Sequence, residues 1–156
     1  MIDVIANLAE RNLSLPEPPK PGGAYESVRV VVGGGIAYVA AQFPFQGNNL
    51  AFRGRLGREL TTEAGGYRAA ELCALNVLAQ MNVYVGFDNI LGLNRFEAYM
   101  LTADEGDGFP KVVDGASHLF LAALGDAGKH ARALFAVERL PMNAPIEITA
   151  SFTLRV

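Results

Sequence analysis

A chain of 156 residues, 51% hydrophobic and 19% charged, has the length of one domain and is short of charge for a free-standing globule, so some apolar surface is expected to be buried between subunits. Its net charge of −3 leaves no excess of Lys and Arg to neutralise a phosphate backbone, which makes nucleic acid a poor partner. Cys73 is the only cysteine, the opening MIDVIANLAERN lacks the pattern of a signal peptide, and no stretch approaches the ~18 apolar residues that span a bilayer; the expectation is a cytoplasmic protein without disulfides or membrane contact.

Ile2, Ile5, Leu8 and Leu13 recur at roughly helical spacing with Asp3 as a cap, which predicts a short amphipathic helix over about 3–12. Pro16, Pro18, Pro19 and Pro21 then enforce an extended connector, so residues 1–20 are read as an N-terminal helix and proline-rich link to a single domain spanning 1–156. Strands are predicted over Tyr25–Val32 and Ile36–Gln42, joined by a tight turn at Gly33-Gly34-Gly35. Phe45 to Arg58 reads as a loop with a short edge strand. A long helix follows, capped by Thr61 or Thr62 and running to about Tyr84, with Ala70, Cys73, Ala74, Val77, Leu78 and Met81 as its apolar stripe. A strand over about 93–103 has apolar residues on both faces and belongs inside a sheet. Asp107 starts a second helix over about 109–124 that Gly125 stops, and strands over 132–139 and 146–154 close the chain around a proline-bearing turn. The order ββαβαββ predicts an α+β layer, one sheet with two long helices packed on a single face.

Most chemical motifs resolve to structural readings. The triple glycine joins two strands and is followed by no Lys-Ser or Lys-Thr, so it is a turn rather than a phosphate loop. Asp104, Glu105 and Asp107 lack the oxygen ligands a calcium loop needs at Gly106 and Gly108. His118 and His130 have no metal-binding spacing, Cys73 sits among helix core residues, and no Gly-x-Ser-x-Gly elbow occurs; no metal site is expected. The last strand differs. Ile146, Ile148, Ala150, Phe152 and Leu154 alternate with Glu147, Thr149, Ser151, Thr153 and Arg155, which puts Glu147 on a polar face. In the strand before it, Arg132 lies on the face opposite Phe135 beside the apolar Leu134 and Ala136. That mixture reads either as a solvated face with scattered charges or as a covered face whose charges serve a ligand.

The run Arg132-Ala-Leu-Phe-Ala-Val-Glu-Arg-Leu-Pro141, followed by Pro145-Ile-Glu147-Ile-Thr-Ala, closely resembles the C-terminal signature of the Rid family, also called YjgF, the reactive-intermediate deaminases. Gly23-Ala-Tyr25 resembles its Gly-Pro-Tyr, and Val39-Ala-Ala-Gln-Phe-Pro44 resembles its Ser-Gly-Gln-x-Pro strand end. The N-terminal helix and the Asp104–Phe109 loop point to a longer-chain branch. The resemblance implies a chorismate-mutase-like fold and a homotrimer with ligand clefts between subunits. It also implies cofactor-free hydrolysis of enamines and imines such as 2-aminoacrylate to a 2-keto acid and ammonia. Carried over by position, Arg132 holds the substrate carboxylate, Glu147 is the acid–base group, Tyr25 lines the cleft, and the backbone near Ala41 and Gln42 receives the carboxylate. Ala40-Ala41 replaces the usual Ser-Gly, Thr149 stands where many members have a second glutamate, and Val113 lies near the place of a cleft asparagine. A different class of function uses the same arginine, namely a non-catalytic binding protein for 2-keto acids or other small carboxylates. Ribonuclease or translation-inhibitor activity, a third reading, is opposed by the acidic balance and the lack of a His pair or basic stripe.

If the last two strands formed a plain hairpin, Glu147 would lie opposite about Glu138 and roughly 20 Å from Arg132 at strand rise. That is too far for one small substrate. The alternatives are a bulge, strands that are not neighbours, or a site assembled from two chains.

Overall fold

The computed structural model describes residues 2–60, 62–103 and 109–156. Asp3 caps the first helix, α1 (Val4–Ala9), by accepting the Ala6 N–H at 3.0 Å. Val4 and Leu8, one helical turn apart, form its buried side, whereas Ile5 is 54% exposed because so short a helix has room for one apolar row. The Asn7 amide ties α1 to the Ala123 carbonyl at 2.9 Å.

Strand β1 (Val28–Val30) pairs antiparallel with β2 (Ile36–Gln42). It is shorter than the expected 25–32 because turns take both ends. Tyr25 N–H bonds the Gly23 carbonyl, and Gly34 N–H bonds that of Val31, with Gly33 at φ +72° where a side chain would be strained. The stretch read as a loop with an edge strand forms a separate ribbon, β3 (Phe45–Gln46) and β4 (Asn49–Leu50), outside the main sheet. Beyond it, the Arg55 guanidinium donates to the Thr102 and Glu138 carbonyls, pinning the loop that carries the buried Leu56.

Helix α2 (Tyr67–Tyr84) is preceded by a π-helical turn over Thr62–Gly66, so the helix proper begins later than a cap at 61 or 62 would place it; Thr61 itself lies outside the described residues. Packing is tight at the junction, since a Cβ on Gly66 would meet the Leu56 and Val112 side chains at 2.9 Å. The predicted apolar stripe of α2 is wholly buried. Asn76 and Gln80 are buried too, because they satisfy carbonyls of neighbouring segments: Asn76 donates to Phe43 and Phe45 at 3.0 Å, and Gln80 to Pro19 at 2.7 Å. A proline-rich connector is poor in N–H donors, and here a helix side chain supplies one to its carbonyl.

Strand β5 (Ile90–Leu101) leads to α3 (Phe109–Leu124), which ends at Gly125 with φ +60°. The start expected at Asp107 and the calcium-like residues Asp104, Glu105 and Asp107 lie outside the described residues. Strands β6 (Ala131–Val137) and β7 (Ile146–Leu154) follow.

The five main strands lie in the order β1-β2-β7-β5-β6, with β5 and β6 parallel and the other pairs antiparallel. Helix α3 is the crossover that makes β6 parallel to β5. A turn at Pro141–Asn143, with Met142 and Asn143 at positive φ, then carries the chain past the end of β5, where Leu101 N–H bonds the Pro145 carbonyl at 2.9 Å. The last two strands are therefore not neighbours. The buried side chains of β2, β5 and β7, among them Val39, Phe96, Met100, Ile148 and Phe152, meet α2 and α3 in one core. Among the described residues the other face of the sheet carries no helix, and it presents Tyr38, Tyr99, Phe135, Glu97 and Glu147.

Candidate functional site

Between Val39 and Gln42, β2 advances three residues while its partner β7 advances from Ala150 to Ile148, a one-residue bulge. Ala41 and Gln42 at this bulge, together with Tyr25, the Pro19–Gly22 connector, Ser27, Phe43, Phe45 and Met142, line a cavity of about 150 Å³. Gln42 is held rigidly, its Nε2 donating to the Ala40 carbonyl at 2.9 Å and its Oε1 accepting from Gln80 Nε2 at 3.2 Å. The Tyr25 hydroxyl accepts the Gly22 N–H at 3.1 Å and keeps its own proton to donate. Three of the residues singled out from sequence are thus brought to one place.

Arg132 is elsewhere. It sits on the edge strand β6 in register with Phe96, so its side chain is on the helix-bearing face. Its Nη1 donates to Asp114 Oδ1 at 2.7 Å and to Ser117 Oγ at 2.9 Å, and its Nη2 to the Pro110 carbonyl at 3.3 Å, all on α3. Leu134, one pleat further on, packs against the core, and the Arg132 bonds tie this face of β6 to α3. Val113 of the same helix is fully buried in the core.

Glu147 lies on the helix-free face, in register with Tyr99. Burial among the strand side chains pushes its carboxyl above the ordinary range. Beside it the Tyr99 hydroxyl donates to Glu97 Oε2 at 2.8 Å, and Arg95 donates to Glu97 Oε1 from Nε and Nη2. The Tyr99 hydrogen bond, and then that of Arg95, hold the Glu97 carboxyl below its usual range. Tyr99 also stacks on Phe135 with centroids 5.2 Å apart. The face therefore holds two carboxyls of opposite tendency, one tied up and ionised, one half-buried and easier to protonate.

Within one chain, Arg132 and Glu147 are three residues apart along the strand direction and two strands apart across the sheet, about 14 Å between backbones by strand rise and spacing. They also point to opposite faces. A single copy does not bring both to one small molecule. The sequence reading missed Asp114 and Ser117 and weighed His130 only as a metal ligand. A signal was present, since His130 and Arg132 are two residues apart beside one another on a face, and Ser117 shares the inward phase of Val113 and Phe120 on α3. Among the described residues no group of three His, Cys, Asp or Glu is placed to hold a metal ion, and no helix is long and apolar enough to cross a membrane.

The family model for YjgF/chorismate mutase-like, putative endoribonuclease proteins matches residues 6–151. The chain belongs to this family. It is 32% identical to Protein TCP17 of Trypanosoma cruzi over 149 residues, 94% of this chain and 91% of that one. Among solved structures it is similar to the protein Atu1372 of Agrobacterium tumefaciens, of unknown function, with 32% identity, TM-score 0.89 and 98% and 94% of the two chains covered. It is similar also to a putative endoribonuclease of Shewanella oneidensis, with 30% identity, TM-score 0.92 and 97% and 99% covered. Escherichia coli TdcF with bound serine, at 19% identity and TM-score 0.64 over 90% of this chain and 94% of that one, shares the fold. The chorismate-mutase-like α+β architecture expected from the sequence is the one observed.

Proposed function

We propose that the protein hydrolyses small reactive enamines and imines of the 2-aminoacrylate type to 2-keto acids and ammonia, in a cleft between copies of the chain in a homotrimer. The observation that carries this reading is Glu147, a half-buried carboxyl held above its usual range on the helix-free face of a YjgF-like fold. Such a group can give a proton to the enamine carbon, and as a carboxylate take one from the water that adds to the resulting imine. Collapse of the adduct then expels ammonia and leaves the ketone. Arg132 supplies the planar fork that binds the substrate carboxylate. Because Arg132 and Glu147 of one copy face opposite ways, the working pair comes from two copies, with the cavity at Tyr25, Ala41 and Gln42 receiving the substrate.

The test is ammonia release from freshly generated 2-iminobutyrate. The purified protein accelerates it over buffer, and Glu147→Gln and Arg132→Ala each lower the rate by about 10²-fold; equal rates with buffer would reject the activity. A second reading, a binding protein for 2-keto acids without turnover, is favoured by the engagement of Arg132 on the face away from Glu147. It predicts saturable 2-ketobutyrate binding, lost in Arg132→Ala, with no ammonia release. The endoribonuclease name of the family and of the Shewanella relative fits this chain poorly. Its net charge is −3, and both histidines are engaged, His118 with the Tyr67 hydroxyl and His130 with Ser117.

A further inference from the structure

Arg132 is held by a chain of hydrogen bonds that begins in the core. The half-buried His130 ring lies against Phe96 and Phe120, with centroids 4.9 and 6.2 Å away, and both phenylalanines are fully buried, so the core walls one side of the imidazole. Its Nδ1 is 2.6 Å from the Gly128 carbonyl oxygen, which can only accept, so Nδ1 carries the proton and Nε2 of the neutral ring is an acceptor. The Ser117 hydroxyl, 3.0 Å from Nε2, therefore donates to it. That leaves the Ser117 oxygen lone pairs to accept from Arg132 Nη1 at 2.9 Å. The direction of each bond follows from the one before it.

The other half of the argument is what remains of the guanidinium. It has five N–H donors. Asp114 and Ser117 take those of Nη1 and the Pro110 carbonyl takes one of Nη2, which leaves two without a partner among the described residues. The Arg132 side chain is 25% exposed, and its Nη2 bond to Pro110 is solvent-exposed whereas the two Nη1 bonds are part-buried, so the accessible side is that of Nη2. Two donors on one guanidinium match one carboxylate. With Asp114 Oδ1 at 2.7 Å the local charge is already balanced, so the edge suits a ligand with one negative charge better than a dianion such as phosphate.

We propose that Ser117, backed by His130, is a positioning residue that fixes the inner edge of Arg132 and so presents its two remaining donors to a monoanionic 2-keto or 2-imino carboxylate. This rests on the reading of Arg132 given under Proposed function. A tether that merely joins α3 to β6 would use the same atoms, but it would not change ligand affinity apart from stability.

The experiment measures 2-ketobutyrate affinity by calorimetry, KM and kcat for 2-iminobutyrate, and the order of the Arg132 guanidinium by ¹⁵N NMR, all on the full chain. Ser117→Ala is expected to weaken Kd and KM about tenfold with kcat within about twofold, and to loosen the guanidinium. Ser117→Thr, which keeps the hydroxyl, restores both. Binding that is abolished by Arg132→Ala yet unchanged in Ser117→Ala overturns the positioning role alone. So does a loss in Ser117→Ala that tracks a lowered Tm and is not rescued by threonine. Absence of carboxylate binding in the unaltered protein overturns the Arg132 reading, and the positioning role with it.

Discussion

At Glu147 and Cys73 burial is the largest influence on the chemistry of a single group. The folded-state pKa of Glu147 is raised, so the folded protein holds a proton there that the unfolded chain has released. Stability at this position is therefore greatest below the unfolded carboxyl pKa and is lost as pH rises through the folded value. Glu147→Gln should accordingly raise Tm relative to the unaltered protein at pH 7.5 and lose that advantage at pH 4; an advantage that grows on acidification would contradict the cause assigned here. Burial pushes the Cys73 thiol well up, with the Glu147 charge adding to it. Since the thiolate is the reactive form, Cys73 should resist maleimide labelling in the native state and react only with unfolding. Both residues were legible in the sequence as to face, Glu147 by strand alternation and Cys73 by helical phase. For the partners of Arg132 only the inward phase of Ser117 was legible; that Ser117 and Asp114 reach the guanidinium depends on the packing of α3 against β6, which no local pattern encodes.

At the level of elements, α2 and α3 approach closely at one point. A Cβ on Gly115 would run into the carbonyl oxygen of Tyr67, so Gly115→Ala should destabilise the protein by about 3 kcal/mol or more, read from the urea midpoint. A midpoint unchanged within error would mean that the helices separate freely. The connector depends on α2 in another way. Gln80→Leu leaves the Pro19 carbonyl and Gln42 Oε1 without their donor and should cost about 1–3 kcal/mol. Helical periodicity identified the face of α2 that meets the sheet. It was silent about Asn76 and Gln80, polar residues at the edge of that stripe whose carbonyl partners belong to other segments.

For the whole molecule, the helix-free face is the feature that calls for a partner. It carries Tyr38 at 54% and Phe135 at 44% exposure beside Tyr99, on a chain short of charge. If copies associate there, sedimentation should give three times the chain mass, and Phe135→Lys should shift it toward the single chain while leaving far-UV helix content intact. A trimer unaffected by that change would place the contact elsewhere. The sequence by itself determined the order of strands and helices, the α+β class and the inward phase of α2 and β7, because those follow from periodicity and residue type within short windows; it left the inward face of β6 open, where Phe135 proves exposed and Arg132 lies on the core side. Only the tertiary structure decided that β5 lies between β6 and β7, that the bulge at Ala40-Ala41 joins Tyr25 and Gln42 to one cavity, and that Arg132 and Glu147 face opposite ways. Alternation relates a side chain to its own strand. Which strand lies alongside is set by long-range pairing and by the α3 crossover, and no local pattern carries that choice.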